Sequence, residues 1–145
     1  MLALFLNATP AVAQQEVLTF GADYIDQETD AIVASDCLRI SLTDGLFRSD
    51  LFAAQGVPDG LWNAAGVAEG FVLSAFMNII VADETGQPVP FTISYGGLID
   101  TTVSTLETAV VLSSGVRLAL IGTVNPQCVL PADVRQYGSL QEFGK

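Results

Sequence analysis

The stretch Cys37-Leu-Arg-Ile-Ser-Leu-Thr43 decides the fold class of this 145-residue chain. Leu38, Ile40 and Leu42 occupy alternate positions, and polar residues occupy the positions between them. This period of two is typical of a β-strand with one buried face and one solvated face. Asp44-Gly45 follows directly and is a turn signal. We therefore expect a chain built mainly of strands.

Further strand-like segments follow this one. Residues 71–81 form a long, largely apolar stretch that includes Ser74 and Asn78, and it predicts a strand buried on both faces. Residues 89–95 alternate again, and Pro88 and Pro90 place this segment at a sheet edge because proline cannot donate a ladder hydrogen bond. Residues 108–124 contain two apolar segments around a glycine-containing turn and predict a hairpin.

The middle of the chain has a helical pattern. Ser49 can cap a short helix over residues 51–55, and Asp59 can cap a second one over residues 61–69. Together with the strands, these segments predict six to seven strands in a β-sandwich or open barrel with one or two short helices inserted. With no linker or internal repeat in the sequence, we expect residues 14–145 to form a single β-rich domain.

Residues 1–13 resemble the second half of a secretory signal peptide. They contain an apolar stretch, the helix-breaking Pro10, and Ala11-Val12-Ala13 as a small-x-small cleavage pattern. The basic region that opens such a peptide is missing, so we expect a truncated signal-peptide segment. The alternative is an apolar N-terminal arm that stays on the protein.

The two cysteines, Cys37 and Cys128, support export. They lie far apart with no CxxC motif, and an even count in an exported chain predicts one disulfide. The alternative is two separate buried thiols. We expect a periplasmic or extracellular location. No apolar run reaches the roughly 18 residues that a membrane-spanning helix needs, so we expect no transmembrane span.

Charge in this chain is sparse and one-sided. Only 14% of residues are charged, and 16 acidic residues against five basic ones give a net charge of −11. Proteins that bind phosphate backbones carry clustered Lys and Arg, so this balance argues against nucleic acid as a partner. A surface with so few charges is typical of proteins that are covered by another protein, although a neutral polar surface on a monomer gives the same composition.

The residue types exclude several catalytic chemistries. The chain has no histidine, which rules out Ser-His-Asp and Cys-His arrangements and His-based zinc sites. Its one lysine, Lys145, is the last residue, and no Gly-rich phosphate loop is present. We therefore predict a non-enzymatic protein and assign no catalytic, cofactor-binding or metal-binding residues. A pair of carboxyl groups acting as general acid and base is the remaining enzymatic possibility.

Two clusters are candidates for ligand binding. One is an acidic group that offers oxygen ligands to Ca²⁺ but is more often a solvated surface; its members are Asp23, Asp26, Glu28 and Asp30. The other is an aromatic group that can line an apolar pocket but is more often part of a core; its members are Trp62, Phe47 and Phe52.

These observations favour an exported structural or interaction domain that assembles with itself or with a larger complex. The alternative is a soluble exported binding module with an apolar or sugar ligand near Trp62. A carboxylate-based hydrolase ranks third.

Overall fold

A computed structural model describes residues 17–131, which contain eight strands and one short helix. The predicted leader or arm over residues 1–13 lies outside the described residues. The strands are β1 (Val17–Asp26), β2 (Ile32–Ser41), β3 (Leu46–Ser49), β4 (Gly60–Val67), β5 (Gly70–Ala82), β6 (Pro88–Asp100), β7 (Thr105–Leu112) and β8 (Arg117–Val124). The helix, α1 (Asp50–Ala53), follows β3 directly, and the Ser49 side chain caps it by accepting a hydrogen bond from the Phe52 backbone N–H.

The strands form a closed antiparallel barrel. Each strand pairs with the next one along the chain, and β8 pairs with β1 to close the sheet. The prediction of a mainly β fold is confirmed. The predicted six to seven strands in a sandwich or open barrel are wrong, because residues 17–131 form eight strands in a closed barrel. Closure pairs both sides of every strand and so removes the exposed sheet edges that an open architecture leaves.

The second predicted helix, over residues 61–69, is the strand β4. Its partner explains the difference, because β4 pairs with β5 from Leu61↔Phe76 to Val67↔Gly70. Gly60 and Gly66 weaken a helix here, and the cross-strand contacts outweigh the remaining helical pattern. Of the one or two helices predicted, residues 17–131 contain only α1.

The apolar run of residues 71–81 lies in β5, but it is not buried on both faces. Leu73, Ala75 and Met77 point into the barrel, whereas Val72 and Phe76 are exposed on the outside. In a barrel with one sheet layer, alternate side chains of every strand point away from the interior. The outer apolar residues of β5 are therefore left to solvent or to another molecule.

At one end of the barrel, β5 and β6 extend beyond their neighbours as a two-stranded ribbon. β7 pairs with β6 only as far as Ile93, while the β5–β6 pairing continues to Ala82↔Pro88. The backbone N–H and C=O of Thr92 bond to Ser113, on the side away from β5. Alternate residues direct their backbone groups to the same side, so Pro88 and Pro90 also face this free side of the ribbon. The edge position predicted from these prolines holds for the ribbon, although the barrel itself is closed.

Two inward-facing glycines allow neighbouring strands to approach closely. A Cβ at Gly97 of β6 would lie 2.0 Å from the Glu107 carbonyl oxygen, and one at Gly122 of β8 would lie 2.4 Å from the Gly21 carbonyl oxygen. The adjacent Gly96 faces outward and would meet nothing within 4 Å. Such glycines mark the places where a strand bends to close a barrel.

Large side chains fill the barrel interior. An eight-stranded barrel is just wide enough to be filled in this way or to enclose one small ligand. Aromatic residues supply much of the volume, and they are fully or almost fully buried: Phe20, Tyr24, Phe47, Phe52 and Tyr95. α1 adds Leu51 and Phe52 to this core.

Candidate functional site

The outer surface of β4–β8, called here the bare face, is apolar and nearly uncharged. β4, β5 and β6 together contain one charged residue, Asp100, at the end of β6. Large apolar side chains on this face expose between 39% and 64% of their surface: Leu61, Val72, Phe76, Ile80, Leu98, Val111 and Ile121. Uncharged polar side chains, Asn63, Ser74, Asn78 and Ser94 among them, stand between these apolar residues.

Strand register arranges the bare face in three rows across the strands. The central row contains Asn63 and then the smaller residues Ser74, Gly96, Ala109 and Ala119. On one side lies the Phe76 row, which contains Leu61, Phe76, Ser94, Val111 and Arg117. On the other side lies the Val72 row, which contains Ala65, Val72, Leu98, Glu107 and Ile121. The three rows run around five of the eight strands of the closed barrel, and the two outer rows hold most of the large apolar side chains.

The outer surface of β1 and β2, called here the covered face, has the opposite character. Residues 125–131 follow β8 and fold over the outer side of β1 and β2. The Asn125 N–H donates to the Thr19 carbonyl oxygen at 2.8 Å. The disulfide between Cys37 of β2 and Cys128, predicted from the cysteine count, is confirmed, with its Cα atoms 5.8 Å apart. Cys37 is fully buried by this covering segment. A buried disulfide is typical of proteins from an oxidising, exported environment.

An arginine links the covering segment to α1. Arg39 of β2 donates to the Cys128 carbonyl oxygen at 3.1 Å and to both carboxylate oxygens of Asp50 at 2.8–3.1 Å. Arg48 donates to the same carboxylate at 3.1 Å. Partial burial works to raise the pKa of Asp50, but the hydrogen bonds and charges of the two arginines outweigh it and lower that pKa below its usual value. The covered face is therefore held by directional polar bonds and a covalent bond.

Behind the covered face, a polar cluster lies inside the barrel around Asp36. The carboxylate of Asp36 accepts hydrogen bonds from the Tyr24 hydroxyl at 2.6 Å, the Ser49 hydroxyl at 2.5 Å and the Leu51 N–H at 3.0 Å. The Tyr24 hydroxyl also lies 2.6 Å from the Tyr95 hydroxyl. Asp36 thus joins β1, β2, β6 and the start of α1 through one buried group.

Burial controls the acidity of this cluster. Loss of solvent raises the pKa of Asp36 from 3.8 to about 6, although the hydrogen bonds from Ser49, Tyr24, Leu51 and the Cys37 backbone partly oppose the rise. Burial first, and then the nearby Asp36, raise the pKa of both tyrosines well above its usual value, so the tyrosines stay protonated donors. Among residues 17–131, Asp36 is the one buried acid. A carboxylate pair that acts as general acid and base stays a prediction.

One buried hydroxyl in the barrel lacks a partner. Thr108 of β7 points inward and is 6% exposed, and its hydroxyl oxygen makes no hydrogen bond. Unlike the Asp36 carboxylate, this hydroxyl has no group to bond to. An unsatisfied buried hydroxyl lowers the stability of the fold by about 1–3 kcal/mol.

The predicted aromatic site falls partly in the core. Phe47 and Phe52 are fully buried, with rings 4.7 Å from Tyr95 and 5.9 Å from Tyr24 respectively. Trp62 is only partly buried, and its Nε1–H donates to the Ser41 carbonyl oxygen at 2.7 Å. The two phenylalanines thus support the Asp36 cluster. A ligand near Trp62 stays a prediction.

The acidic group is spread along β1 and the turn that follows. Asp23 accepts a hydrogen bond from Ser35 at 2.7 Å, and Asp26 accepts from the Glu28 and Thr29 N–H groups to form the β1–β2 turn. Glu28 and Asp30 are exposed in that turn. Within residues 17–131, no group of three or more His, Cys, Asp or Glu side chains is arranged to hold a metal ion.

Neither the Asp36 cluster nor the bare face was predicted as a site. Along β2, Asp36 lies on the same side of the strand as Ala34, Leu38 and Ile40, which are all buried. The alternation of the sequence alone therefore places Asp36 inside the barrel. The bare face carries a weaker signal, because large apolar residues occur on both sides of β5 and the outer side has only Ser74 and Asn78 as polar residues between Val72 and Ile80.

None of the helical segments between residues 17 and 131 is long and apolar enough to cross a membrane. No protein-family model, no curated protein and no solved structure matches this chain.

Proposed function

We propose that this chain is a non-enzymatic, exported structural or interaction domain that acts by assembling through its bare face. The observation that carries the proposal is the outer surface of β4–β6, where three adjacent strands contain a single charged residue. Exposed apolar area of this kind gains free energy when a partner covers it, at roughly 25 cal/mol per Å².

The distribution of charge supports the same conclusion. The chain carries a net charge of −11, yet its acidic residues avoid the central part of the bare face. Solubility alone would be served by charges spread over the whole surface. The central part of a protein–protein interface is depleted of charged residues, because a partner that covers it removes the water that solvates charges. The central part of the bare face has this composition.

The residues available for chemistry support a non-catalytic role. The sequence has no histidine, its one lysine is the last residue, and Asp36 is the one buried acid in residues 17–131. The Asp36 carboxylate already accepts at least three hydrogen bonds from the protein itself. The disulfide supports a working location in the periplasm or outside the cell.

The test is the native mass of the full chain under non-reducing conditions, measured for the wild type and for Phe76→Arg. Phe76 lies in the middle of β5 on the bare face and is 41% exposed, so arginine is accommodated without disturbing the core. We expect the wild type to form a discrete multimer and Phe76→Arg to be a monomer, because a charge buried in an apolar interface is costly.

Ile32→Arg is the matched control. Ile32 is 63% exposed, at the start of β2 and outside the bare face, so the same substitution there should leave the multimer intact. A wild type that is monomeric at all accessible concentrations would contradict the proposal. An equal loss of assembly in both variants would place the interface elsewhere.

A further inference from the structure

We propose that the free edge of β4, over residues 63–67, binds an extended apolar segment of another protein whose two ends carry lysine or arginine. The segment adds to the barrel as a further β-strand. This edge is distinct from the bare face, so the inference goes beyond the proposed function and does not depend on it. Three features support it: unpaired backbone groups, open space on both sides of the edge, and acidic residues around it.

The first feature is the backbone of β4. The barrel closes between β3 and β4 through only two residue pairs. Next along β4, the Trp62 N–H donates to the Gly45 carbonyl oxygen at 3.1 Å, so the backbone groups of Trp62 face β3. Alternate residues direct their backbone groups to the same side, so those of Ala64 and Gly66 face this side as well. Because β3 begins at Leu46, no strand of the described residues pairs with Ala64 and Gly66 from that side.

An edge of this kind is recognised by another extended backbone. Its donors and acceptors repeat every two residues, about 6.8 Å apart, which is the repeat of a β-strand. At the other end of the barrel, the free side of β6 lacks such donors because Pro88 and Pro90 face it. No proline occurs between residues 60 and 69, so the β4 edge keeps its donors.

The second feature is the open space beside this edge. Ala64 lies on the inner side of the sheet, opposite the buried Leu73 of β5, yet Ala64 itself is exposed. A Cβ at Gly66, on the same inner side, would meet nothing within 4 Å. Trp62 and Phe71 lie next to this space, with ring centroids 6.5 Å apart, and both are only partly buried. An added strand can therefore place apolar side chains against these two rings.

The third feature is charge. Asp44 adjoins Gly45 at one end of the edge, and Glu69 follows the edge at its other end. Asp100 lies near Glu69, because the Thr101 N–H donates to the Glu69 carbonyl oxygen at 2.9 Å. A segment with a basic residue at each end of its apolar part therefore complements the edge. No lysine or arginine occurs in the segments that surround the edge, which are residues 41–46, 63–70 and 100–105.

The same acids argue against a second copy of this chain as the partner. Two β4 edges that pair antiparallel bring Glu69 of one copy towards Asp44 of the other. Like charges that face one another across a pair of strands are destabilising, and each copy carries a net charge of −11. A segment with basic ends meets opposite charge at both ends instead.

The first experiment measures binding of a fluorescent peptide to the full chain by fluorescence anisotropy. The peptide is Lys-Val-Thr-Val-Thr-Val-Lys with blocked ends. A control peptide of the same sequence has N-methyl groups on its three central residues, so it keeps its charge and side chains and loses those N–H groups. We expect the control to bind at least tenfold more weakly, because strand addition depends on main-chain hydrogen bonds. Equal binding of the two peptides, or no binding of the first, overturns the proposal.

The second experiment locates the site with proline variants. Ala64→Pro removes an N–H on the free side and leaves the ladder with β5 intact, so binding of the lysine peptide should fall at least tenfold. Ile80→Pro is the matched control, because Ile80 pairs with Pro90 and its N–H likewise faces away from β6, where β4 does not reach. It should bind the peptide as the wild type does. Unchanged binding in Ala64→Pro, or an equal loss in Ile80→Pro, overturns the assignment to β4. If Ala64→Pro does not fold, the comparison of the two peptides decides.

The third experiment tests the acids around the edge. A peptide with glutamate in place of both lysines should bind several-fold more weakly than the lysine peptide at low salt. Glu69→Gln should reduce this preference for lysine. Both differences should shrink as salt is raised, because salt screens exposed charges. Equal affinity for the lysine and glutamate peptides overturns the choice of a partner with basic ends.

The native mass of the wild type separates this inference from the proposed function. A monomeric wild type that binds the lysine peptide contradicts assembly through the bare face and supports strand addition at β4. A multimer that does not bind the peptide supports assembly and overturns strand addition.

Discussion

The covered face and the bare face are built from antiparallel strands of the same barrel, yet their outward side chains differ. On β2 the outward positions hold Ser35, Cys37 and Arg39, whereas on β5 they hold Val72, Ser74 and Phe76. The first set forms directional or covalent bonds, which the chain's own residues 125–131 satisfy. The apolar members of the second set interact through the hydrophobic effect, which depends on buried area and not on direction. Any apolar surface of the right shape can therefore cover them.

This difference extends into the barrel interior. Behind the covered face, the buried polar group Asp36 accepts hydrogen bonds from Tyr24, Ser49 and Leu51. On the wall behind the bare face, the buried hydroxyl of Thr108 has no partner. The covered half of the barrel therefore concentrates the specific interactions that fix the fold, and the bare half relies on apolar packing. Three perturbations test this division.

The largest effect should come from reducing the disulfide. Cys37 and Cys128 are 91 residues apart, and breaking a cross-link that closes a loop of roughly 90 residues should lower the free energy of unfolding by about 4–5 kcal/mol on the chain-entropy model. Urea unfolding followed by the fluorescence of Trp62, with and without a reductant, measures the loss. The double variant Cys37→Ala/Cys128→Ala should match the reduced protein and show no response to the reductant. A loss below about 1 kcal/mol would mean that residues 125–131 contribute little to the covered face.

The next largest effect should be a pH dependence that originates at Asp36. Its pKa in the folded protein is about 6, above the 3.8 of an ordinary aspartate, so the folded state retains a proton that the unfolded state has already released. The stabilising contribution of this proton is complete below about pH 4 and is lost as pH rises through about 6. Two pKa units correspond to about 3 kcal/mol of unfolding free energy. Asp36→Asn should remove this fall, as measured by chemical unfolding between pH 4 and pH 7.

A second variant in the same cluster gives the control for sign. Ser49→Ala removes a hydrogen bond that lowers the pKa of Asp36, so the fall in stability should shift to higher pH. The low pKa of Asp50 acts in the opposite direction, because its contribution is lost as pH falls below about 4, outside the window assigned to Asp36. Equal slopes for the wild type and Asp36→Asn between pH 4 and pH 7 would contradict the assignment to Asp36.

The covered half of the molecule was easier to predict from sequence than the bare half, for a physical reason. In β2, polar and apolar residues alternate, so Leu38 and Ile40 could be placed inside the barrel and the disulfide could be expected from the two cysteines. In β5 the inner residues are apolar, and the outer residues alternate between large apolar ones, Val72 and Phe76, and uncharged polar ones, Ser74 and Asn78. Alternation reports the difference between core and water, and it fails where an outer face is itself apolar.

Barrel closure could not be predicted, because it depends on contacts between residues that are distant in the chain. β1 and β8 pair from Phe20↔Val124 to Asp26↔Leu118, and no local pattern encodes this pairing. The helix predicted over residues 61–69 rests on Asp59 as a cap, and the glycines Gly60 and Gly66 weaken it. The pairing of β4 with β5 decides the structure of this segment, as is common for strands whose own propensity is weak.

The smallest effect distinguishes the two halves at matched residues. Thr108→Val removes the unpartnered hydroxyl at nearly constant volume, so the free energy of unfolding should rise by about 1 kcal/mol. Thr19 is also buried, but its hydroxyl lies on the covered face and accepts a hydrogen bond from Arg39 at 3.5 Å. Thr19→Val should therefore lower the free energy of unfolding by about 0.5–1 kcal/mol. Opposite signs for one substitution at two buried threonines would confirm that the hydroxyl of Thr19 is satisfied and that of Thr108 is not; the side-chain oxygen of Gln55, just after α1, is the other buried polar atom without a partner in the described residues. Equal signs, measured by urea unfolding at one pH, would remove this distinction and leave the disulfide and Asp36 as the only differences between the two halves.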